Sequence, residues 1–499
     1  MSTIRKSGKK TQALGHAAHT KDSGEESLPG NFSRPIKVTV TGAGSAFTPR
    51  ILNDILRTPG EAGGTIGLVD VDRGRLRTMS RLIRKLLDQL GKTNWKVVAS
   101  EDRRKVLRGT DYLVNCIEVS GPACVEWDND IPLKYGVDQC IGDTIGPGGL
   151  FKALRTIPSW LDILRDCEEL CPEAIVLNYT NPMSMLCLAA GRRSPMQVVG
   201  LCHSVQGTSH LLADYAGVPY ASLQWECAGI NHLAWFTKLE QAGRDLYPGL
   251  KKDFARQLKE AIEEVDTGRL PEAYMGAKRM PEEAPAHRSD LVRKDMCVQF
   301  GAFITESSGH LSEYLPYYRK SEAGRKLLRA GYDGGSRFYA TNWPHWREAA
   351  DASRLAMLRG EEAMDWQRSW EYAAWIIEAR EKNVPWRFHG NVMNRDGCSG
   401  KLITNLPGDS CVEVACLVDG NGIQPARYGA LPPVMAGLCQ SNLGMFDLGA
   451  QAAIERSREL AVQALMLDPL TAAVCTPAQI RAMTDELFEA EKAYLPEYR

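Results

Sequence analysis

The 499-residue sequence predicts an α/β protein with a doubly wound parallel sheet, followed by a second, mixed α/β domain. Three observations carry this prediction. Short β-branched runs alternate with segments of helical apolar spacing up to about residue 200. A loop with two glycines follows the first of these runs. Beyond about residue 225 the alternation gives way to a pattern typical of antiparallel strands and charged helices.

Strands and helices alternate regularly in the first part of the chain. The β-branched segment 36–41 predicts the first strand, and the spacing of Ile51, Ile55 and Leu56 predicts a helix after it. The following elements are expected to be a strand (64–72), a helix (75–90), a strand–helix–strand unit (97–119) and two strands ending in polar residues (174–182 and 197–204). Ligands of such sheets bind at the carboxyl ends of the strands, so we expect the functional residues there.

The second part of the chain is expected to be mixed. The segment 225–240 alternates like antiparallel strands, 251–300 is charged and helical, and 365–381 has the spacing of an amphipathic helix. The segment 448–467 predicts one further helix, with core positions at Leu448, Ile454, Leu460, Leu465 and Met466. Residues 1–33 are small, polar and charged, which predicts a flexible tail.

The composition excludes several classes of function. The 60 basic and 61 acidic residues leave a formal net charge of −1, so the chain lacks the positive excess of proteins that bind nucleic acid or anionic membranes. No apolar run approaches the length of a membrane span, and the N-terminal segment lacks the apolar core of a secretory signal. The 14 cysteines include no Cys-x-x-Cys pair, which predicts reduced thiols and a cytoplasmic protein.

The loop after the first strand is typical of a dinucleotide site. Gly42 and Gly44 stand between a strand and a helix, where glycine lets the backbone turn tightly and approach a pyrophosphate. Phe47 replaces the third glycine of the strict fingerprint. Asp70, at the end of the second strand, is placed to accept hydrogen bonds from a ribose diol. The alternative interpretation is an ordinary strand–helix turn with a surface aspartate.

Polar clusters at later strand ends suggest a metal site. Cys202 and His232 are ligand types for a divalent metal, and two protein ligands would leave open positions for a substrate. The alternative is a buried thiol and a histidine bonded to backbone. The glycine-rich segment 142–158 is interpreted either as a phosphate or substrate loop or as a plain helix start. The segment 304–320 carries Glu306, His310, Glu313 and Tyr314, whose tyrosine serves either packing or proton transfer.

Six motifs occur in a fixed order along the chain: GAGS, GDTIGPGG, NYTNPM, CHSV, GINH and SEYLPYY. This set resembles glycoside hydrolase family 4 over nearly the whole chain after the tail. The resemblance implies a Rossmann-like NAD-binding domain at 34–205. It also implies a C-terminal domain at 206–499 that holds substrate and metal and mediates assembly as a homodimer or homotetramer. NAD and a divalent metal, commonly Mn²⁺, are the implied cofactors, and a small-molecule glycoside is the implied partner.

The resemblance also implies a redox–elimination mechanism, an exception to the two-carboxylate rule for glycosidases. Nicotinamide takes a hydride from C3 of the sugar, a base removes the C2 proton, and the metal stabilises the enediolate. The aglycone then leaves C1 by β-elimination. Water adds, and the steps reverse to restore NAD.

Site residues follow from the resemblance position by position. Cys202 and His232 would bind the metal. The NAD-binding set would be Gly42, Ala43, Gly44, Ser45, Phe47, Asp70 and Asn181. Asn181, His203 and Asp143 would contact the sugar, with His203 as the acid toward the leaving group. Tyr314 is similar to the family's C2 base, with Glu306 and Asp295 as carboxylate alternatives and Asp143 tuning that base.

The substrate is expected to be an α-galactoside. The tetrad Cys-His-Ser-Val at 202–205 resembles the melibiase-like α-galactosidase group, and segment 119–130 lacks the arginine found in phospho-glycosidase members. α-Glucosides, α-uronides and sulfoquinovosides are alternatives under the same mechanism. Two other functions share the glycine loop: an NAD-dependent 2-hydroxy acid dehydrogenase and a non-catalytic NAD-binding sensor. Neither gives the Cys202 and His232 pair a role.

Overall fold

The protein is described by a computed structural model over residues 27–395, 397 and 400–499. We number strands and helices in chain order. The strands are β1 (Ile36–Thr41), β2 (Gly64–Val69), β3 (Trp95–Ser100), β4 (Tyr112–Asn115), β5 (Ile175–Asn178), β6 (Gln197–Gly200), β7 (Leu223–Ile230), β8 (Leu233–Gln241), β9 (Arg244–Asp245), β10 (Phe303–Ile304), β11 (Trp386–Met393), β12 (Cys411–Asp419) and β13 (Gly422–Pro425).

The helices pack against the sheet and against one another. They are α1 (Thr48–Leu56), α2 (Arg73–Leu90), α3 (Arg104–Leu107), α4 (Val125–Lys134), α5 (Gly146–Leu170), α6 (Met183–Arg193), α7 (Ser204–Ala216), α8 (Tyr247–Asp266), α9 (Leu291–Phe300), α10 (Ser308–Tyr314), α11 (Glu322–Arg325), α12 (Phe338–Arg359), α13 (Tyr372–Lys382), α14 (Pro433–Glu455), α15 (Arg458–Leu467), α16 (Pro469–Val474) and α17 (Pro477–Ala490). In the described part of the chain, no helix combines the length and apolarity needed to cross a membrane.

The first six strands form the predicted parallel sheet. Their order is β6-β5-β4-β1-β2-β3, and every neighbouring pair is parallel. The strand order reverses between β1 and β4, which is the switch point where doubly wound sheets bind ligands. The fold class predicted from the alternation is therefore confirmed.

The antiparallel strands of the second part join the same sheet. β11 pairs with β6 at Asn391 and Gly200, and β12 pairs with β7 at Glu413 and Gly229. As a result, the two expected domains share one continuous sheet in the described residues. The expected boundary between residues 205 and 206 falls inside α7.

Helix α2 shows how the sequence specifies one element. The Asp72 side chain accepts hydrogen bonds from the backbone N–H groups of Gly74 and Arg75 at its start, and Gly91 ends it in the left-handed region. Its buried residues recur at helical spacing and pack against the sheet: Leu76, Met79, Leu82, Ile83, Leu86 and Leu87. Because β2 leads directly into this cap, Asp70 is fixed beside the glycine loop.

The structure corrects two helix predictions in the charged and aromatic segments. The stretch 267–290 forms no α-helix and holds only two short 3-10 turns, since Pro271, Pro281 and Pro285 interrupt the pattern between α8 and α9. Segment 365–371 also lies outside a helix. There Ser369 accepts a hydrogen bond from the Glu371 N–H, which replaces a helical turn.

Two further predictions need correction. The helix expected at 448–467 is broken, because Arg456 is left-handed and the Ser457 hydroxyl caps the new helix α15. The expected tail 1–33 lies outside the described residues up to position 26. Beyond that, Leu28 and Phe32 are buried, and the Leu28 N–H donates to Glu378 at 3.0 Å, so the packed chain begins before residue 34.

Candidate active site

The glycine loop is held by its own backbone and by Asp70. Gly42 has φ of +71°, and a side chain there would overlap the carbonyl of Cys116. The Gly44 N–H donates to Asp70 Oδ2 at 2.6 Å. Ala43 donates to the carbonyl of Val69 at 2.9 Å, so the loop is bonded to the end of β2. The predicted order of strand, loop, helix, strand and acid is thus assembled in space.

Ser45 and Phe47, two residues of the predicted NAD-binding set, lead from the glycine loop into α1. The Ser45 hydroxyl accepts from the Phe47 N–H at 3.3 Å, and α1 begins at Thr48. No side chain caps the start of α1, where the N–H groups of Thr48 and Arg50 donate to the backbone carbonyls of Ser45 and Phe47. The second oxygen of Asp70 accepts from the Asp72 N–H at 2.9 Å. Asp70 therefore shapes the loop and keeps lone pairs available for a ligand.

Cys202 and His232 converge from two separate strands. Cys202 follows the end of β6, and His232 stands in the two-residue turn between β7 and β8 with φ of +63°. Cys202 Sγ lies 3.5 Å from His232 Nε2, and both side chains are buried. The thiol also donates to the Ser204 hydroxyl at 3.2 Å, and burial raises the pKa of Cys202. A sulfur and a nitrogen donor at this separation suit a divalent metal.

Glu306 and His310 extend this donor set. One ligand atom each from His232, Glu306 and His310 lies within 4.8 Å of the others. Burial opposes a charge on His310, but Glu306 and Asp143 outweigh it and raise the pKa of His310 to about 9. His232, Glu306 and His310 are thus clustered candidate metal donors, and Cys202 Sγ adds a fourth through its contact with His232.

Asp143 and Asn181 meet beside this cluster. Asn181 Nδ2 donates to Asp143 Oδ2 at 2.9 Å, and His310 Nε2 lies 3.7 Å from the other carboxylate oxygen. Burial alone would raise the pKa of Asp143, but His310 and Lys152 together hold it well below its usual range. Lys152 is itself paired with Glu118 at 2.9 Å. The result is an anionic acceptor suited to a sugar hydroxyl.

The SEY motif contributes both a clamp and a buried phenol. The Glu313 carboxylate accepts the backbone N–H groups of Cys140, Ile141 and Gly142, and so fixes the loop that presents Asp143. The Tyr314 ring lies 6.0 Å from the His232 ring, and burial raises the pKa of Tyr314 well above its usual value.

His203 is bonded to a carboxylate that sequence reasoning missed. His203 Nε2 lies 2.6 Å from Glu371 Oε2, and the Tyr179 hydroxyl donates to the other oxygen of Glu371 at 2.5 Å. Glu371 is buried, and His203 and Tyr179 are half-buried. Burial opposes a proton on His203, but Glu371 outweighs it and raises the pKa of His203.

The structure brings together most of the residues expected in the site, but not Asp295. The clustered residues are Cys202, His232, Asp143, Asn181, Glu306, Tyr314 and, beside them, His203. Asp295 instead accepts from the Tyr318 hydroxyl at 2.7 Å and from Gln299 at 3.2 Å, in a separate surface pocket. This correction removes it as a base candidate, because its carboxylate is committed elsewhere.

Sequence analysis did not predict that three charged residues lie near the site. The buried Lys152 pairs with the more exposed Glu118, and Glu371 lies in a segment interpreted as an amphipathic helix. A lysine or glutamate in such a segment is usually solvent-facing. The glycine-rich loop before Lys152 was the feature of the sequence that pointed to this region.

Comparison with known proteins gives a consistent result. The profile for family 4 glycosyl hydrolases matches residues 37–218, and the profile for the C-terminal domain of that family matches residues 227–471. An α-galactosidase of Bacillus subtilis (strain 168) is 36% identical, and the match covers 93% of this chain and 100% of that protein. An α-galactosidase of Rhizobium meliloti (strain 1021) is 35% identical over 93% of this chain and 89% of its own length.

More distant proteins share the architecture. Relatives named α-galacturonidase and α-glucosidase are 27% and 28% identical. A solved 6-phospho-α-glucosidase from gut microorganisms, in complex with NAD and Mn²⁺, superposes with a TM-score of 0.73. It is 22% identical and covers 93% of this chain and 100% of its own.

Proposed function

The chain belongs to glycosyl hydrolase family 4, and on that premise we propose that it hydrolyses α-galactosides with NAD and a divalent metal, preferably Mn²⁺. The observation that carries this proposal is the convergence of Cys202 Sγ and His232 Nε2 at 3.5 Å beside Asp143 and Asn181. A dehydrogenase or a sensor built on the glycine loop has no use for that pair.

The residues fit a metal ion by their chemistry. His232, Glu306 and His310 offer nitrogen and oxygen donors in one cluster, and Cys202 Sγ adds a sulfur donor 3.5 Å from His232 Nε2. Asn231, next to His232, is buried, and neither atom of its amide has a hydrogen-bond partner among the described residues. Buried polar atoms are rarely left unsatisfied, so a ligand at this position is expected.

The residues of the glycine loop fit NAD. Gly42, Ala43, Gly44 and Ser45 present backbone at the start of α1, and Phe47 and Asp70 border them. Asn181 lies between this loop and the metal cluster along the sheet edge. When bound, NAD would supply a hydride acceptor for C3 of the sugar, and the metal would supply positive charge that stabilises the neighbouring oxygens.

This chain's side chains would orient the sugar and move its protons. Asp143 and Asn181 accept and donate hydrogen bonds to sugar hydroxyls. Tyr314 is the proposed base at C2, because Asp295 is bonded elsewhere and Glu306 lies among the metal donors. His203 is the proposed acid that protonates the departing oxygen.

The preference for α-galactosides rests on two supports. The relatives at 35–36% identity over most of the chain are α-galactosidases. Lys152, a buried cation close to Asp143, is already neutralised by Glu118, so it is poorly suited to bind a substrate phosphate. α-Glucosides, α-uronides and sulfoquinovosides remain the alternatives to be compared.

A substrate panel tests the proposal. Aryl α-galactoside, α-glucoside, α-glucuronide and sulfoquinovoside are offered with NAD and Mn²⁺. We expect the α-galactoside to be cleaved fastest, with no net NADH and with solvent deuterium at C2 of the product. Turnover that persists after EDTA treatment and removal of NAD would contradict the mechanism. Net NADH formation from a 2-hydroxy acid would favour the dehydrogenase instead.

Location and assembly stay predictions. The thirteen described cysteines are free and buried, which supports a reducing, cytoplasmic setting. A homodimer or homotetramer is expected, and light scattering of the purified protein measures it.

A further inference from the structure

We propose that Glu371, together with Tyr179, is the positioning residue that fixes His203 for proton transfer to the leaving group. The inference rests on the function proposed above and adds a residue to it. Glu371 directly precedes α13, an element outside the parallel sheet, whereas Cys202 and His203 follow the end of β6 in that sheet.

The contacts form a continuous chain of hydrogen bonds that ends at His203. The Ala373 N–H donates to the Tyr179 hydroxyl at 3.1 Å, and that hydroxyl donates to Glu371 Oε1 at 2.5 Å. Glu371 Oε2 then lies 2.6 Å from His203 Nε2. The Tyr179 ring also lies near-parallel to the imidazole, with centroids 6.2 Å apart and an interplanar angle of 30°. The imidazole is therefore held at its Nε2 edge by a carboxylate that is itself bonded to Tyr179.

The position of Glu371 on the helix adds to this rigidity. Glu371 directly precedes the first residue of α13, where the helix dipole stabilises a carboxylate. Its backbone N–H donates to Ser369, and its side chain is 10% exposed. A buried carboxylate with both oxygens engaged fixes the ring orientation of its histidine, much as outer carboxylates orient ligating histidines.

This orientation assigns the two ring nitrogens. Nε2 is bonded to Glu371, so a proton given to the substrate leaves from Nδ1. In that step the C1–O bond breaks and its electron pair goes to the glycosidic oxygen, which takes the Nδ1 proton. The electron pair left at C2 by the earlier deprotonation forms the C1–C2 double bond. The water that later adds at C1 returns a proton to His203.

The same helix supplies a matched control. Glu381, near the end of α13, accepts from the Tyr112 hydroxyl at 2.5 Å, as Glu371 does from Tyr179. Its second partner is Arg34 instead of a histidine, at 2.7 Å. Glu381→Gln therefore reproduces the loss of a buried tyrosine–carboxylate contact on this helix without touching His203.

The experiment compares wild type, Glu371→Ala, Glu371→Gln, Tyr179→Phe and Glu381→Gln on aryl α-galactosides of graded leaving-group pKa. For Glu371→Ala we expect kcat to fall about 10- to 100-fold with phenol as the leaving group, because the acid is misoriented. With dinitrophenol, which needs no protonation, the loss should stay within about threefold. The losses of kcat for Glu371→Gln and Tyr179→Phe should lie between wild type and Glu371→Ala. NAD and Mn²⁺ affinities, measured by calorimetry, should match wild type.

Two results would overturn the inference. One is an equal loss across the whole substrate series, which would indicate a general structural role. The other is a Glu371→Ala profile that matches that of Glu381→Gln. A wild-type enzyme that shows no NAD- and Mn²⁺-dependent turnover would instead contradict the proposed function itself, so the two failures are distinguishable.

Discussion

The glycine loop and the metal and sugar cluster are built in different ways. The loop is made by backbone groups, and its key contact joins Gly44 to Asp70, 26 positions away. The cluster is made by side chains, and its contacts join residues that are 30 positions apart for Cys202 and His232 and 168 apart for His203 and Glu371. A backbone site is therefore visible in a short motif, whereas a side-chain site depends on how distant strands pair.

Replacing Cys202 by serine should separate the two regions most sharply. The hydroxyl is a much weaker metal ligand than a thiolate, so we expect Mn²⁺ binding to be lost and kcat/KM to fall by at least about 100-fold. NAD affinity should stay within about threefold, because the loop shares no ligand with the cluster. Calorimetry with Mn²⁺ and with NAD measures both.

Cys416→Ser is the control, since Cys416 is also buried and its thiol donates to the carbonyl of Val414. If it lost Mn²⁺ as completely as Cys202→Ser, the loss would reflect damage to the sheet and not a missing ligand.

The loop offers the converse test through Gly42. Alanine there must adopt φ near +71° and would overlap the Cys116 backbone. We expect at least about 2 kcal/mol lower stability and a large loss of NAD affinity. Gly44→Ala should cost less stability, because its added methyl meets the Asp70 side chain at 2.9 Å and not a backbone atom. Chemical unfolding compares the stabilities of the two variants, and NAD titration compares their affinities. Equal stabilities would contradict the argument that alanine at position 42 overlaps backbone atoms.

The same contrast explains what the sequence could and could not predict. Local periodicity was enough for the strand–helix alternation and the loop around Gly42. The pairing of Asn391 with Gly200, which merges the two parts into one sheet, has no local signal. Cys202 and His232 were found because their motifs occur in a known order. Glu371 was not, because a glutamate that precedes a helix looks the same whether it faces solvent or a histidine.

The stability of the shared sheet is expected to depend on pH through His389. His389 is on β11, and burial, with a smaller contribution from the charge of Arg387, lowers the pKa of His389 to about 3. The unfolded chain binds this proton near its usual pKa, so stability is complete above about pH 6.5 and is lost as pH falls toward 3. Between about pH 7 and pH 5 we expect a loss of about 2 kcal/mol.

Chemical unfolding of wild type and His389→Gln at these pH values measures the effect. The variant should lose most of this pH dependence. Because β11 joins the two parts of the sheet, fluorescence and NAD release should report a single transition. Two separate transitions would show that the halves are energetically independent despite the shared strands.

The smallest expected effect concerns a residue that links the two regions. Arg347, on α12, reaches from the second part of the chain to the first, and its guanidinium fills the space that a side chain on Gly121 would occupy. The charges of Arg75 and Asp351 act on it, and those of Glu118 and Asp72 act more weakly. Among the described residues, no carboxylate comes within ion-pair distance of it. A bound pyrophosphate would supply that missing anion.

Arg347→Ala should therefore weaken NAD binding by about tenfold and leave Mn²⁺ binding unchanged. Arg359→Ala is the control on the same helix, since Arg359 is exposed and paired with Glu361. An effect on NAD of Arg347→Ala that is no larger than the effect of the control would remove Arg347 from the cofactor site. A tenfold effect would show that the loop is not a purely local, backbone-made site, because one of its charges comes from a residue about 300 positions later in the chain.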